Sequence, residues 1–183
     1  MISALQVLSV LLSGLLYFGF FFLNDWLFSG LEAHPGANWI YLPAGLRLLN
    51  TLLLGGEGAI GLLLASLALS FGVVHDDPVT AAVSPFISAG VPYLVYRLAL
   101  AKGLPSTLEQ LSPTYLSALI FLHAVATSGL HSLWYAMRGV SQSFLSGFSV
   151  MFIGDLMGTL IIIYLIKLLL MVWDRMSNVT PPI

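Results

Sequence analysis

Long apolar runs, broken by short polar or glycine-rich interruptions, set the elements that the chain is expected to form. The first run predicts a helix from Ile2 to Leu23, ending at Asn24-Asp25-Trp26, where polar groups stand beside an indole as at a membrane interface. Tyr17, Phe18, Phe20, Phe21 and Phe22 crowd its second half and read as lipid-facing and packing aromatics. The following loop holds Pro35-Gly36, Trp39 and Tyr41 and is interfacial too. The stretch from Leu42 to Phe71 is apolar almost throughout but interrupted three times. Pro43 can open a helix in its first turn, Arg47 places a permanent cation in lipid-soluble sequence, and Gly55-Gly56-Glu57-Gly58 breaks the run. Residues 43 to 54 make about 18 Å of helix, short of a hydrocarbon core of about 30 Å. The pattern predicts a short helix, a tight turn and a fuller helix.

Beyond the polar turn VVHDDPVT, a fourth helix is expected from Thr80 to Ala101, kinked by Pro85 and by Gly90-Val91-Pro92. The polar connection Lys102 to Pro113 leads to a fifth helix over Thr114 to Met137. A sixth runs from Ser143 to Trp173, before a short tail. The expected fold is all-α: a polytopic integral membrane protein with about six transmembrane segments, the second short and discontinuous, forming a single domain over residues 1–183.

Composition narrows the class further. The chain is 58% hydrophobic and only 8% charged, with a mean hydropathy of +0.98. Soluble domains carry about 25% charged residues, so a water-soluble fold is excluded. A membrane β-barrel would show alternating segments, which are absent. With no cysteine there is no disulfide, thiolate zinc site or iron–sulfur cluster. A net charge of −2 offers no surface for nucleic acid. The N-terminus lacks the basic region of a signal peptide and reads as a retained helix. With an inside N-terminus, Arg97, Lys102, Lys167 and Arg175 gather on one side, which the positive-inside rule makes cytoplasmic. Both termini are then cytoplasmic, while Asp25, Glu32, His75, Asp76, Asp77 and the lone Arg138 face outward. The expected location is a bacterial inner membrane.

The polar residues inside the apolar runs are the candidates for chemistry. On the last helix Gly147, Gly154 and Gly158, spaced by seven and four, share a face suited to a close helix crossing. Asp155 lies about 18 Å from the outer end of that helix, near the midplane, where a carboxylate must be neutral or have a donor at its own depth. His123, Thr127 and His131 form a stripe in steps of four on the fifth helix. Helix rise puts His123 at the depth of Asp155 and His131 near the outer surface with Arg47. Two layers are expected: His123 with Asp155, and outside it Arg47 with Asp25, Glu32 or His131. Each reads equally as a structural hydrogen-bonded network or as a ligand or proton site. His123 and His131 share one helix, whereas haem ligands face each other from different helices, so no haem is expected. A metal site from His34, His75, His131 and the acidic pair is the weaker alternative, and none is assigned. The chain has no Gly-x-Ser-x-Gly, no His-Glu-x-x-His and no phosphate loop, so no catalytic residue is assigned and the protein is read as non-enzymatic.

Two segments carry a resemblance. Leu42-Pro43-Ala44-Gly45-Leu46-Arg47 continuing to Gly55, and Ile153-Gly154-Asp155-Leu156-Met157-Gly158-Thr159-Leu160, resemble in order and rough spacing the membrane-associated sensor domain of the first type. That domain stands in front of bacterial histidine kinases and diguanylate cyclases, with a Pro-x-Gly helix start and a Gly-Asp-x-x-Gly element. On the resemblance, Pro43, Gly45, Gly154, Asp155 and Gly158 are the motif positions. The chain is shorter than the usual eight-helix domain and carries no output domain after Arg175, so a signalling role implies output through a partner.

Two functional expectations follow. The first is a sensor-like or accessory subunit that packs against another membrane protein or a second copy, in contact with the lipid bilayer and without a cofactor. The second is a small-solute binding or transport component, similar to six-helix substrate-binding subunits of vitamin importers. A structural subunit of a respiratory or photosynthetic complex is a third alternative. A polar pocket on the outer side would favour the second expectation; a dry core with an exposed packing face would favour the first.

Overall fold

A computed structural model describes residues 3–34, 37–75, 77–104, 111–139 and 143–177, with the side chains of His34, Asp174, Arg175 and Ser177 outside that description. Helix α1 covers Ala4–Phe28 and opens on a capping box, in which the Ser3 hydroxyl accepts the Gln6 N–H and the Gln6 side chain accepts the Ser3 N–H. It continues past Leu23, where an interface was expected. Asn24 is buried, and its Oδ1 accepts the Leu42 N–H at 2.8 Å, satisfying a donor at the start of the next helix from outside that helix.

A 3₁₀ turn (Ser29–Leu31) leads into a short antiparallel ribbon, β1 (Glu32–His34) with β2 (Ala37–Asn38). So small a ribbon needs outside support. The chain beyond it finds that support on the last helix, where Tyr41 N–H donates to the Gly154 carbonyl at 3.0 Å.

Helix α2 (Leu42–Leu69) is interrupted at Gly55, whose φ of 58° and ψ of −129° are not helical. Eight residues of unbroken helix separate their ends by about 12 Å. Here a side chain on Gly58 would instead collide with the Asn50 carbonyl, and the Ser13 hydroxyl reaches both the Asn50 side chain and the Gly58 carbonyl. The chain has therefore folded back at Gly55, giving a short arm over 42–54 and a second arm from 56 that ends in the π-helical turn Ser70–Val74. The expected short helix, turn and longer helix are all present.

Helix α3 (Pro78–Ala101) is capped by Asp77, whose carboxylate accepts the Val79 and Thr80 N–H groups, and α4 (Pro113–Met137) by Ser112. Helix α5 spans Phe144–Ser177. Pairings of Thr80 with Trp134 and Ala99 with Tyr115 run α3 and α4 antiparallel. Successive contacts of α5 with Asn38, Tyr41 and Gly45 lay it parallel to the short arm of α2. The start of α1 and the end of α5 consequently share one end of the bundle, with Arg97, Lys102 and Lys167. That end is filled by Leu48, Leu52, Val95, Ala99, Leu119 and Ile120.

Among the described residues, five helices are long and apolar enough to cross a membrane, and the outer faces of α1 and α5 expose leucine in rows. So large an apolar surface suits contact with lipid rather than water. The close approach expected at the glycines is real, but its partner differs. A Cβ on Gly154 would strike the Asn38 carbonyl, and one on Gly158 the Tyr41 carbonyl. The glycines thus admit the extended segment 38–41 rather than a helix. Of the glycines singled out in the sequence, Gly45 is the one that meets another helix closely, with Ile162 Cβ at 2.8 Å and Thr159 Cα at 3.0 Å from where a Cβ would stand, while Gly61, not singled out, admits α1 at Val10, Ser13 and Gly14. Pro43 is buried in the first turn of α2, and Gly147 is buried with its N–H on the Ser143 carbonyl.

Candidate functional site

The end of the bundle opposite the termini holds a cavity of about 370 Å³, the size of a small-molecule site. All five helices and the segment 37–41 line it. The short arm of α2 turns Arg47 into it, and threading 38–41 against Gly154 and Gly158 brings Tyr41 and Asp155 to the same wall.

Arg47 is 6% exposed and held by phenols. Its Nε and Nη2 donate to the Tyr17 hydroxyl at 3.2 and 2.7 Å, and Nη2 also donates to Tyr41 at 3.2 Å. The guanidinium carbon lies 5.3 and 5.0 Å from the two ring centroids, within cation–π range. Arg47 was expected to pair with Asp25, Glu32 or His131, and its hydrogen bonds go to none of them. Depth reckoned along helix axes did not find its partners, because the phenols of Tyr17 and Tyr41 take the guanidinium instead. Asp25 and Glu32 line the same cavity nearer its rim.

Asp155 is 4% exposed, faces the cavity and lies within electrostatic reach of Arg47. Among the described residues its carboxylate makes no hydrogen bond, and no ion pair within 4.0 Å joins it to Arg47. The expected pair with His123 does not form. His123 is wholly buried, with Nδ1 3.3 Å from the Thr127 hydroxyl, and its ring turns to the Ala44 backbone of the short arm of α2 without meeting full hydrogen-bond geometry at Nε2. The rise per residue sets depth, but here the direction around the helix decided the pairing.

His131 lies apart from Arg47's hydrogen bonds, with Nδ1 3.4 Å from Ser84 and Nε2 3.3 Å from Ser88, one turn apart on α3. Ser84 also meets the Tyr135 hydroxyl, which reaches His75 Nε2, each at 3.3 Å. Burial pushes the His75 imidazole below its ordinary value, against the pull of Asp77. At the outer corner Arg138 makes a two-pronged contact with Asp77 at 3.0–3.1 Å. Hydrogen bonds from Thr80, then from Arg138, hold the Asp77 carboxyl at about 2. Among the described residues no three histidine or acidic side chains group as metal ligands. Asp76 and the His34 side chain, named in that alternative, lie outside the description.

Buried polar atoms converge on the cavity. Asn38 Oδ1 and the hydroxyls of Ser66, Ser70 and Ser128 have no partner within the described protein, and all four residues line it. Such groups are costly unless something polar meets them. Sequence reasoning passed over these serines, Tyr17, Tyr41 and Tyr135. A signal was present: Ser66 and Ser70, Ser84 and Ser88, and Thr127, His131 and Tyr135 each recur in steps of four on apolar helices. Comparison with protein families, curated proteins and solved structures finds no match for the chain.

Proposed function

We propose that the protein is a non-enzymatic, multi-pass membrane protein that binds a small polar solute in this cavity. The observation that carries the reading is the convergence of four buried polar atoms, unpartnered among the described residues, on a space that also holds Arg47 and the Asp155 carboxylate, likewise without a hydrogen bond among them. A dry packing core would have left no such set. On this reading the chain makes six passes, the short arm of α2 being incomplete. Arg97, Lys102 and Lys167 lie on the cytoplasmic side with both termini, and the cavity opens to the other face. Half-length helices that bring charged groups to a cavity are a known device of solute-binding membrane proteins.

The sensor-like reading enters as the means of output. From Tyr164 to Trp173 every described side chain of α5 is exposed, so a partner's helix has room beside it on the cytoplasmic half. Solute occupancy around Asp155 on α5 would be conveyed along that helix. Thermal unfolding of detergent-purified protein against a panel of small polar solutes tests the reading. At least one class should raise the melting temperature saturably, as ligand linkage requires, and Arg47→Leu should abolish the shift. If no solute shifts it while a second membrane protein co-purifies in fixed ratio, the accessory role replaces solute binding.

A further inference from the structure

A buried guanidinium and a buried carboxyl group face the cavity without bonding to each other directly. Arg47 gives Nε and Nη2 to phenols, and Nη1 has no partner among the described residues. Asp155 is an acceptor with no donor among them. Tyr17 and Tyr41 clamp the guanidinium from two sides, so it is positioned rather than free to swing over to Asp155. Ligand charge can be decided by elimination. A simple anion would satisfy Arg47 but leave Asp155 unpaired and meet Asp25 at the rim. A simple cation would satisfy Asp155 and leave the Arg47 fork unused. A neutral solute would give neither group a partner of opposite charge.

We infer that the cavity recognises a small zwitterion of the amino-acid type, its ammonium on Asp155 and its carboxylate on Arg47. The inference rests on the solute-binding reading above and names its ligand class. The remaining hydroxyls, Ser66, Ser70 and Ser128, supply neutral donors and acceptors around the charged ends. Phe21, Leu69, Val74 and Met151 offer an apolar wall for a hydrocarbon side chain, which points to leucine-like members of the class. The acidic rim favours approach by the ammonium end.

Isothermal titration of the full-length protein in nanodiscs, using L-leucine, leucinamide, 4-methylpentanoate and glycerol, tests this. Leucine should bind, and removing either charge, as in leucinamide or 4-methylpentanoate, should weaken binding by about 10- to 100-fold, the range for a lost charge-assisted hydrogen bond. Asp155→Asn keeps the shape of the side chain and should lower leucine affinity while leaving that of 4-methylpentanoate unchanged or improved. Equal affinity for leucine and either singly charged analogue overturns the zwitterion, as does an Asp155→Asn protein that binds leucine normally. Binding of glycerol without leucine also overturns it and leaves the solute-binding reading standing. If none of the probes binds, the zwitterion is overturned, and a flat response across the wider solute panel overturns solute binding with it.

Discussion

Arg138 and Arg47 stand in the same half of the bundle and hold their guanidinium groups by different chemistry. Arg138 is 39% exposed and spends its planar fork on the Asp77 carboxylate, in the geometry that arginine and carboxylate share. The pair caps α3 and joins it to the end of α4. Arg47 is buried, and the hydroxyls that hold it are neutral. Its charge is therefore oriented but not cancelled where it is held. A cation that only stabilised the fold would take the arrangement of Arg138, since a buried charge is costly unless paired. Phenol clamping instead keeps the charge available to what enters the cavity.

The comparison can be broken most forcefully through the support of the clamp. Gly158→Leu would force a side chain into the Tyr41 carbonyl, and overpacking against backbone costs about 1–3 kcal/mol or more. Tyr41 should leave Arg47, with a large drop in melting temperature and loss of solute response; a normally stable, responsive variant would show that the segment 38–41 is not held there.

A smaller structural effect and a larger functional one are expected from Arg47→Leu. It removes hydrogen bonds from a charged donor to two phenols, worth about 1.5–3 kcal/mol each where charge is involved, partly regained by burying leucine. Solute binding should disappear while the protein still folds. Arg47→Lys should be intermediate, because the ammonium cannot present the planar fork to both hydroxyls. Wild-type binding by Arg47→Leu would make the cation incidental.

Smallest is the change at the exposed pair. Asp77→Asn should lower stability only modestly at neutral pH, because exposed ion pairs are largely screened by water. Its signature is in acid. The folded-state carboxyl is held at about 2, below its ordinary 3.8, so its contribution is present above about pH 4 and is lost as pH falls through 2. Melting curves of wild type and Asp77→Asn should differ near neutrality and converge towards pH 2; parallel curves throughout would contradict the role given to Asp77.

Much of this architecture could be read from residue patterns. Apolar runs placed α3, α4 and α5 within a few residues of their ends, because lipid-length helices announce themselves by length alone. The fold-back at Gly55 was visible because three glycines in four residues leave little helical preference. Asp155 and Arg47 stood out as charges in apolar sequence. Their partners did not, for two physical reasons. Tyr17 looks like one more aromatic in an aromatic helix, and only the third dimension turns its hydroxyl to Arg47. The segment 38–41 has no periodicity to betray it, yet Gly154 and Gly158 exist to admit it. Asn24 was misread for a similar reason: its role as a cap for Leu42 crosses between elements and leaves no trace in local sequence.

The bundle is polar and open at one end and closed by apolar packing at the other, with the open end facing away from the termini. Because the chain has no cysteine, single cysteines report on it cleanly. Ser66→Cys, in the cavity wall, and Ile120→Cys, in the apolar cluster, can be probed in intact cells with a membrane-impermeant maleimide. Labelling of Cys at position 66 from outside, with none at position 120, is the predicted result. Labelling of neither, or of position 66 only after the cytoplasmic face is exposed, would contradict the account.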